Sequence, residues 1–429
     1  MTDSDARRDW VQPDAGVDGH KKPPITMRQA WMVSAAAGLG YGFDSYAVNI
    51  YSLVLPDIRE SLDISLAVSG IIGSIFLVGY TVGTVGFGII ADKWGRKDAL
   101  GISILLYGLT TALGGLTKNV AAFTGLRFLT GVGGAGELAV GAPYAVEMWP
   151  PKRRALGTGG IIFSCYSIGY VVAAGTALVV VPRWGWEWSF IFAIVPAVLV
   201  FFLLRRLRES SRFTVAKVEA EIQRKQGVRK RKIWEMPGAK KRIVVGWLVY
   251  TANAVGYWGM TVFLTTVMVD RFGVDAANAI VFALLFYLVQ FVFCYIGTGL
   301  ADSFGRRPSA IIGAVIMMIA IAVGATTDSL PVYLVFGGAS IAMLGWLWAV
   351  GDTYVAELFP TEFRGTGFGI SVGGGRLLSI FAPALVGWGI AEYGPTGPYL
   401  AFVGLWVLTI IGYLMGPETA RRELEDIAS

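Results

Sequence analysis

Long apolar runs alternate with short polar ones along nearly the whole chain, and the runs have the length that crosses a bilayer. Spans of about 20 apolar residues, enough for one transmembrane helix, fall near 29–55, 67–90, 98–116, 121–146, 155–181, 188–207, 243–266, 277–299, 308–326, 331–356, 366–390 and 397–416. Pro196 and Pro383 lie inside spans, where membrane helices tolerate them. The pattern predicts an all-α membrane protein of twelve transmembrane helices. Residues 1–27 read as a polar, disordered N-terminal tail without the apolar core of a signal peptide. Residues 28–208 and 240–418 read as two six-helix bundles, 209–239 as the loop between them and 419–429 as a C-terminal tail.

The two bundles carry the same text. Asp92-Lys-Trp-Gly-Arg96-Lys97 recurs as Asp302-Ser-Phe-Gly-Arg306-Arg307, and the segment Glu147 to Arg154 recurs as Glu357 to Arg364. The offset is 210 residues in both cases, and the pairs Tyr144/Tyr354, Gly141/Gly351, Gly157/Gly367 and Gly159/Gly369 keep it. A tandem repeat of six-helix units predicts two pseudo-symmetric bundles, an architecture typical of transporters.

Composition agrees. Hydrophobic residues make up 55% of the chain, charged residues 15%, and mean hydropathy is +0.60, against about 25% charged residues in a soluble domain. The 56 glycines suit close helix packing in lipid. With the N-terminus inside, 30 of the 36 Lys and Arg fall in inside segments, while Arg59, Lys118, Arg183 and Arg271 fall outside. The positive-inside rule therefore places both termini in the cytoplasm of a cell with this protein in its plasma or inner membrane. The net charge of +6 follows from that topology, so no nucleic-acid partner is needed; the run Arg229–Lys232 reads as a cytoplasmic surface near anionic lipid. Cys165 and Cys294 lie in different halves, and His20 is the one histidine, so no metal site or cofactor is expected. Gly131, Gly133, Gly134 and Gly136 read as helix-packing positions rather than a phosphate loop. No nucleophile–base set is present, which argues against an enzyme.

These motifs resemble a known family. Gly88-Ile-Ile-Ala-Asp92-Lys-Trp-Gly-Arg96-Lys97 is similar to the signature loop between helices 2 and 3 of the major facilitator superfamily, and Arg127-Phe-Leu-Thr-Gly131-Val-Gly133 to its helix-4 motif. Glu209-Ser-Ser-Arg212 and Pro417-Glu-Thr419 resemble markers of its sugar-porter-like branch. Within that branch, Gly42-Phe-Asp44, Gly136-Glu137 and Gly375-Arg376 look like the metabolite:proton symporters that carry organic and aromatic acids. Two departures stand out. Thr298 replaces the glycine of the second signature loop, and the seventh span lacks the Gln-Gln pair that sugar porters use on hexoses. The resemblance implies the major facilitator fold, alternating access, and a cytoplasmic gate built from Asp92, Arg96, Lys97, Glu147 and Arg154 with Asp302, Arg306, Arg307, Glu357 and Arg364.

The repeat also sorts the charges. Residues present in both halves serve what the halves share; charges without a counterpart serve the one substrate and coupling site. The register sets Asp44 against Ala254, Arg127 against Gly337, Glu137 against Leu347 and Arg376 against Tyr166, so all four break it. Asp44 lies about sixteen residues into its span, roughly 24 Å and near mid-membrane. A carboxylate there costs about 2.5–3.5 kcal/mol on insertion scales and favours its neutral form, which suits proton coupling; the alternative is a structural hydrogen bond to a neighbouring helix or a permanent ion pair. Glu137 is a second proton-site candidate, and Arg127, near the outer end, a coupling partner or a snorkelling arginine. Arg376, flanked by Gly373, Gly374 and Gly375 that leave room beside it, is the candidate for an anionic substrate, unless a salt bridge to Asp44, Glu137 or Asp352 neutralises it. Asp352, close to a helix end, reads as wet and structural. Tyr41, Asn253, Tyr257, Trp258, Tyr287 and Gln290 are candidates to shape a cavity for a small planar acid.

The expectation is a monomeric secondary carrier that moves a small organic anion, a monocarboxylate or aromatic acid, with a proton. Alternatives are a metabolite or drug exporter, a sugar or polyol carrier on the same scaffold, or a ligand sensor that does not transport.

Overall fold

In the computed structural model, residues 26–226, 232–261 and 263–428 are described, and they fold into long helices joined by short links. The tail to residue 25, His20 and the basic run 229–231 lie outside the described residues. Helices α1 (Met27–Leu53), α2 (Leu66–Trp94), α3 (Arg96–Leu116), α4 (Val120–Met148), α5 (Ile161–Val179) and α6 (Ile194–Arg205) come from the first half. Helices α7 (Ala239–Thr261), α8 (Ala276–Phe304), α9 (Arg306–Thr326), α10 (Leu330–Glu357), α11 (Arg364–Arg376) and α12 (Thr396–Met415) come from the second.

Nine helices among the described residues are long and apolar enough to cross a membrane, and ten if α7 and the following helix Leu264–Phe272, bent by 45°, count as one span. The remaining two predicted spans are α1 and α4, at 27 and 29 residues long enough to cross. Both are diluted by Gly and by the charges Asp44, Arg127 and Glu137, and both are packed largely inside. They are lined by protein rather than lipid, so polarity that lipid would not accept is tolerated there. The sixth span is broken, running as Trp186–Ile191 and then α6. The eleventh continues from α11 through a 3-10 turn into Ala382–Tyr393, with Pro383 at the restart. The loop after α6 holds a 15-residue helix, Ser211–Lys225.

Packing obeys the repeat. In the first half α2 packs on α4, α3 on α4 and α6, and α1 on α5. Six helices on, α8 packs on α10, α9 on α10 and α12, and α7 on α11. Across the halves, α2 packs on α11 and α5 on α8, two contacts that exchange into each other under the same shift. Glycine lets the backbones meet: a Cβ at Gly83 would strike the Val132 carbonyl and one at Gly131 the Phe76 carbonyl, so α2 and α4 touch without side chains between them. This is the packing role expected for the glycines of α4.

Candidate functional site

The repeated motifs gather at one end of the molecule and lock the halves together there. Asp92, at the end of α2, accepts from the backbone N–H of Gly365 at 3.0 Å and of Thr366 at 2.6 Å, in the first turn of α11. Asp302, at the end of α8, accepts from the backbone N–H of Ala155 at 3.0 Å and Leu156 at 2.9 Å. Donors and acceptors are all 210 residues apart, so one contact is built twice. Each is a carboxylate held on backbone donors at the start of a helix, a charge-assisted arrangement. Arg96 pairs with Asp92 at 2.6 Å and Glu147 at 3.1 Å, and Arg306 with Asp302 at 2.7 Å and Glu357 at 3.1 Å. The network crosses between halves through Arg154–Glu357 at 3.1 Å and Arg364–Glu147 at 2.8 Å, all four side chains fully buried. This end is shut.

Lys97 and Arg307 stay outside that lock. Their side chains reach carbonyls of their own half, Leu207 and Leu414, and their backbone N–H groups cap onto Glu209 at 3.1 Å and Glu418 at 3.0 Å. Gly95 and Gly305, with φ of +120° and +121°, make the turns, and a Cβ on either would press into those same two carboxylates. Burial holds the Glu209 carboxyl above its usual range, partly offset by the backbone donors of Ser210 and Lys97. The departure at Thr298 is absorbed locally: its side chain faces Gly160, and its hydroxyl donates to the Cys294 carbonyl at 2.7 Å.

The unrepeated charges behave in the opposite way. Asp44, Glu137 and Asp352 are 1% exposed, Arg127 3% and Arg376 7%. Among the described residues none of the five forms an ion pair. Asp44 takes a hydrogen bond from the Tyr80 hydroxyl at 3.0 Å, and Gly134 of α4 makes room for its other oxygen. Arg127 is buried rather than snorkelling outward: its guanidinium lies 4.6 Å from the Tyr51 ring and 4.5 Å from Phe76, and donates to the Ala47 carbonyl at 3.2 Å. Glu137 lies against Gly40, and neither of its oxygens has a hydrogen-bond partner.

Arg376, the last residue of α11, sits between two rings, 4.5 Å from the centre of Tyr80 and 5.0 Å from that of Trp348. Its Nε has no partner. The salt bridge that would have neutralised it is not formed. The three glycines before it do not leave space for a ligand; they let α11 lie against Val85, Trp247 and Tyr250. Asp352 is not wet. α10 runs on to Glu357, and the Tyr250 hydroxyl donates to the Asp352 Oδ1 in a very short contact while Oδ2 has no partner.

Arg376 opens on a small aromatic cavity between the halves. Tyr41, Val48, Tyr80, Phe163 and Tyr166 line it from one half, and Tyr257, Trp258, Trp348 and Arg376 from the other. Its volume is about 20 Å³, room for one or two waters. The walls touch: Tyr166 and Tyr257 hydroxyls are 3.2 Å apart, and Phe163 stacks on Trp348 at 5.6 Å. Anything larger than a few waters enters only when these walls separate.

Four expected lining residues are there: Tyr41, Tyr257, Trp258 and Arg376. Three are not. Gln290 instead ties the halves, accepting from Ser167 at 2.8 Å and donating to Ile341 at 3.1 Å. Tyr287 stacks on Tyr170 across the same seam, centroids 4.0 Å apart. Asn253 turns into its own half, toward the Leu347 carbonyl at 3.5 Å. Tyr80, Phe163, Tyr166 and Trp348 were missed as lining residues. The register held a signal for them, since it sets Tyr80 against Gln290, Phe163 against Gly373 and Trp348 against Leu138. Each is an aromatic ring that its counterpart lacks.

Comparison with known proteins closes the question of family. The profile of the Major Facilitator Superfamily matches residues 37–298. The chain belongs to the Major Facilitator Superfamily. It is a multi-pass membrane protein of a transporter family, not an enzyme. A second profile, sugar (and other) transporter, matches residues 217–429. Among superfamily relatives, the niacin transporter NiaP of Acinetobacter baylyi is 26% identical over 427 residues, covering 92% of this chain and 95% of that one. The benzoate transport protein of the same organism is 26% identical over 415 residues, covering 89% and 88%. The fold matches that of the proton:xylose symporter XylE with a TM-score of 0.80 at 19% identity, covering 94% of this chain and all of that one.

Proposed function

We propose that this protein is a secondary carrier that moves a small organic anion, a monocarboxylate or aromatic acid, together with a proton. The observation that carries the reading is Arg376: a permanent cation, buried without a carboxylate partner, in a cavity walled by aromatic rings. Guanidinium binds carboxylate in a two-point fork, and flat aromatic walls suit a flat acid. Relatives named for niacin and benzoate transport have the same chemistry in their cargo.

Asp44 is the coupling carboxylate. It reaches Arg376 through Tyr80, whose hydroxyl it accepts and whose ring the guanidinium covers. A substrate carboxylate on Arg376 brings a second negative charge to that ring system. Protonation of Asp44 removes the first, and the loaded cavity reorients neutral. Glu137 and Arg127 complete the buried charge set around it. The lock of Asp92, Arg96, Glu147 and Arg154 with Asp302, Arg306, Glu357 and Arg364 is the cytoplasmic gate, closed in this conformation. The bundles 28–208 and 240–418 rock about the cavity, with both termini cytoplasmic and the protein in the cell membrane, working as a monomer.

Uptake of a radiolabelled panel into proteoliposomes tests the reading. Benzoate, nicotinate, lactate and xylose are offered with and without an inward proton gradient. Gradient-stimulated uptake of an acid, lost in Arg376→Gln, is the expected result. Uptake of xylose alone, or acid uptake indifferent to Arg376, contradicts it.

A further inference from the structure

A second carboxylate lies beyond the other face of Arg376, in the other half and one ring further away than Asp44. On one face of the guanidinium lies Tyr80, whose hydroxyl holds Asp44. On the other lies Trp348, and against Trp348 lies Tyr250, ring centroids 5.4 Å apart and edge to face. The Tyr250 hydroxyl holds Asp352. Trp348 and Asp352 are four residues apart on α10 and so share a helix face. One cation thus has a carboxylate–tyrosine pair from each half beyond its two faces, the first in contact with it and the second behind Trp348.

We propose that Asp352 is a second proton-binding site, which takes up its proton when an anion docks on Arg376. The proposal rests on the reading of Arg376 as the anion site. Tyr250 of α7 contacts Asp352, and Tyr41 of α1, Arg376 of α11, Cys294 of α8 and Tyr413 of α12 interact with it electrostatically. Arg376 is the one cation among them, so Asp352 and the incoming anion compete for a single positive charge. The competition ends when Asp352 is neutral. Its oxygens are arranged for that change: Oδ1 accepts from Tyr250, while Oδ2 is buried without a donor. An unpaired buried oxygen is costly on a carboxylate and much less so on a carboxyl group. No bond other than O–H forms or breaks; the proton comes from water and returns to it.

Tyr166 and Arg376 occupy equivalent positions of the repeat, as do Ala142 and Asp352. The second half therefore holds both the anion-binding cation and a carboxylate that answers to it, neither with an equivalent in the first.

The test is binding of benzoate and of nicotinate to the purified full-length protein, read by tryptophan fluorescence from about pH 6 to about pH 8.5, where both ligands stay ionised. Linkage of the Asp352 proton to binding lowers wild-type affinity by about tenfold per pH unit once Asp352 ionises, and linkage through Asp44 adds to that slope. Asp352→Asn, which imitates the neutral carboxyl group, keeps the low-pH affinity at about pH 8.5 and flattens the slope. Tyr250→Phe guards against misfolding of that variant: without the hydroxyl donor the ionised form loses support, and tight binding persists to higher pH. Asp44→Asn in the same assay retains the part of the slope due to Asp352. Unchanged slopes in both Asp352→Asn and Tyr250→Phe overturn the proposal, as does a wild type without pH dependence. A wild type that binds neither acid at any pH, or an Arg376→Gln variant that binds as wild type does, removes the anion-site reading itself.

Discussion

Arg376 holds its guanidinium 4.5 Å from the centre of the Tyr80 ring, and the hydroxyl of the same Tyr80 donates to Asp44 at 3.0 Å. One aromatic residue therefore touches the cation proposed for substrate and the carboxylate proposed for the proton. Its two ends do different work, and they can be separated. Tyr80→Phe keeps the ring and removes the donor to Asp44. Anion affinity at low pH should stay within about threefold, while the pH dependence of uptake moves. Uptake measured across pH checks this, and a variant that loses affinity with an unchanged pH profile contradicts it.

Arg376→Lys keeps the charge but loses the planar group that lies between Tyr80 and Trp348 and the fork that grips a carboxylate. Affinity for the transported acid should fall at least about tenfold, or 1.4 kcal/mol. Titration calorimetry reads it directly, and an unchanged Kd contradicts the anion site.

The lock at the motif end consists of two copies of one contact, so either copy alone should release both. Asp92→Asn weakens the acceptor for Gly365 and Thr366, and charge-assisted bonds of this kind are worth about 1.5–3 kcal/mol each. Hydrogen exchange is expected to rise in the segment after Phe363 and also in the segment after Arg154, though the latter touches Asp302 and not Asp92. Asp302→Asn should give the same pattern. Exchange that rises only beside the altered aspartate shows two independent latches rather than one gate.

Glu147 and Glu357 each neutralise two buried arginines, Arg96 with Arg364 and Arg306 with Arg154. Removing one partner of a buried pair costs about 3–5 kcal/mol. Glu147→Gln and Glu357→Gln should lower the melting temperature in detergent by similar amounts. Full stability in either contradicts the equivalence of the two halves.

Much of this was legible in the sequence, because the repeat is written in residues that must be polar in an apolar chain. The ends of α2, α8, α4 and α10 were marked by the motifs themselves, and the repeat separated two sets of charges that the structure places differently. Arg96, Arg154, Arg306 and Arg364 are all paired with carboxylates; Asp44, Arg127, Glu137 and Arg376 form no ion pair among the described residues. Breaks inside spans were less legible: Pro196 removes the donor to the Phe192 carbonyl and so marks the turn at Phe192 and Ala193, but membrane helices also tolerate proline without breaking. The cavity was the least legible part. Tyr287 and Tyr80 are both buried membrane tyrosines at mid-helix, and which of them faces the cavity depends on helix rotation. Asp352 was misplaced because distance from a helix end measures depth along the axis and says nothing of what packs around it.

The central claim is that the anion and the proton move together, and the most direct measurement is luminal pH. Proteoliposomes carrying a trapped pH-sensitive dye are given an inward gradient of the transported acid with no initial pH difference, and protein-free vesicles subtract passive permeation of the neutral acid. The account predicts luminal acidification that depends on the protein and falls in Asp44→Asn, a variant that still exchanges labelled for unlabelled acid. Net entry of the acid through the wild-type protein with no change in luminal pH contradicts it.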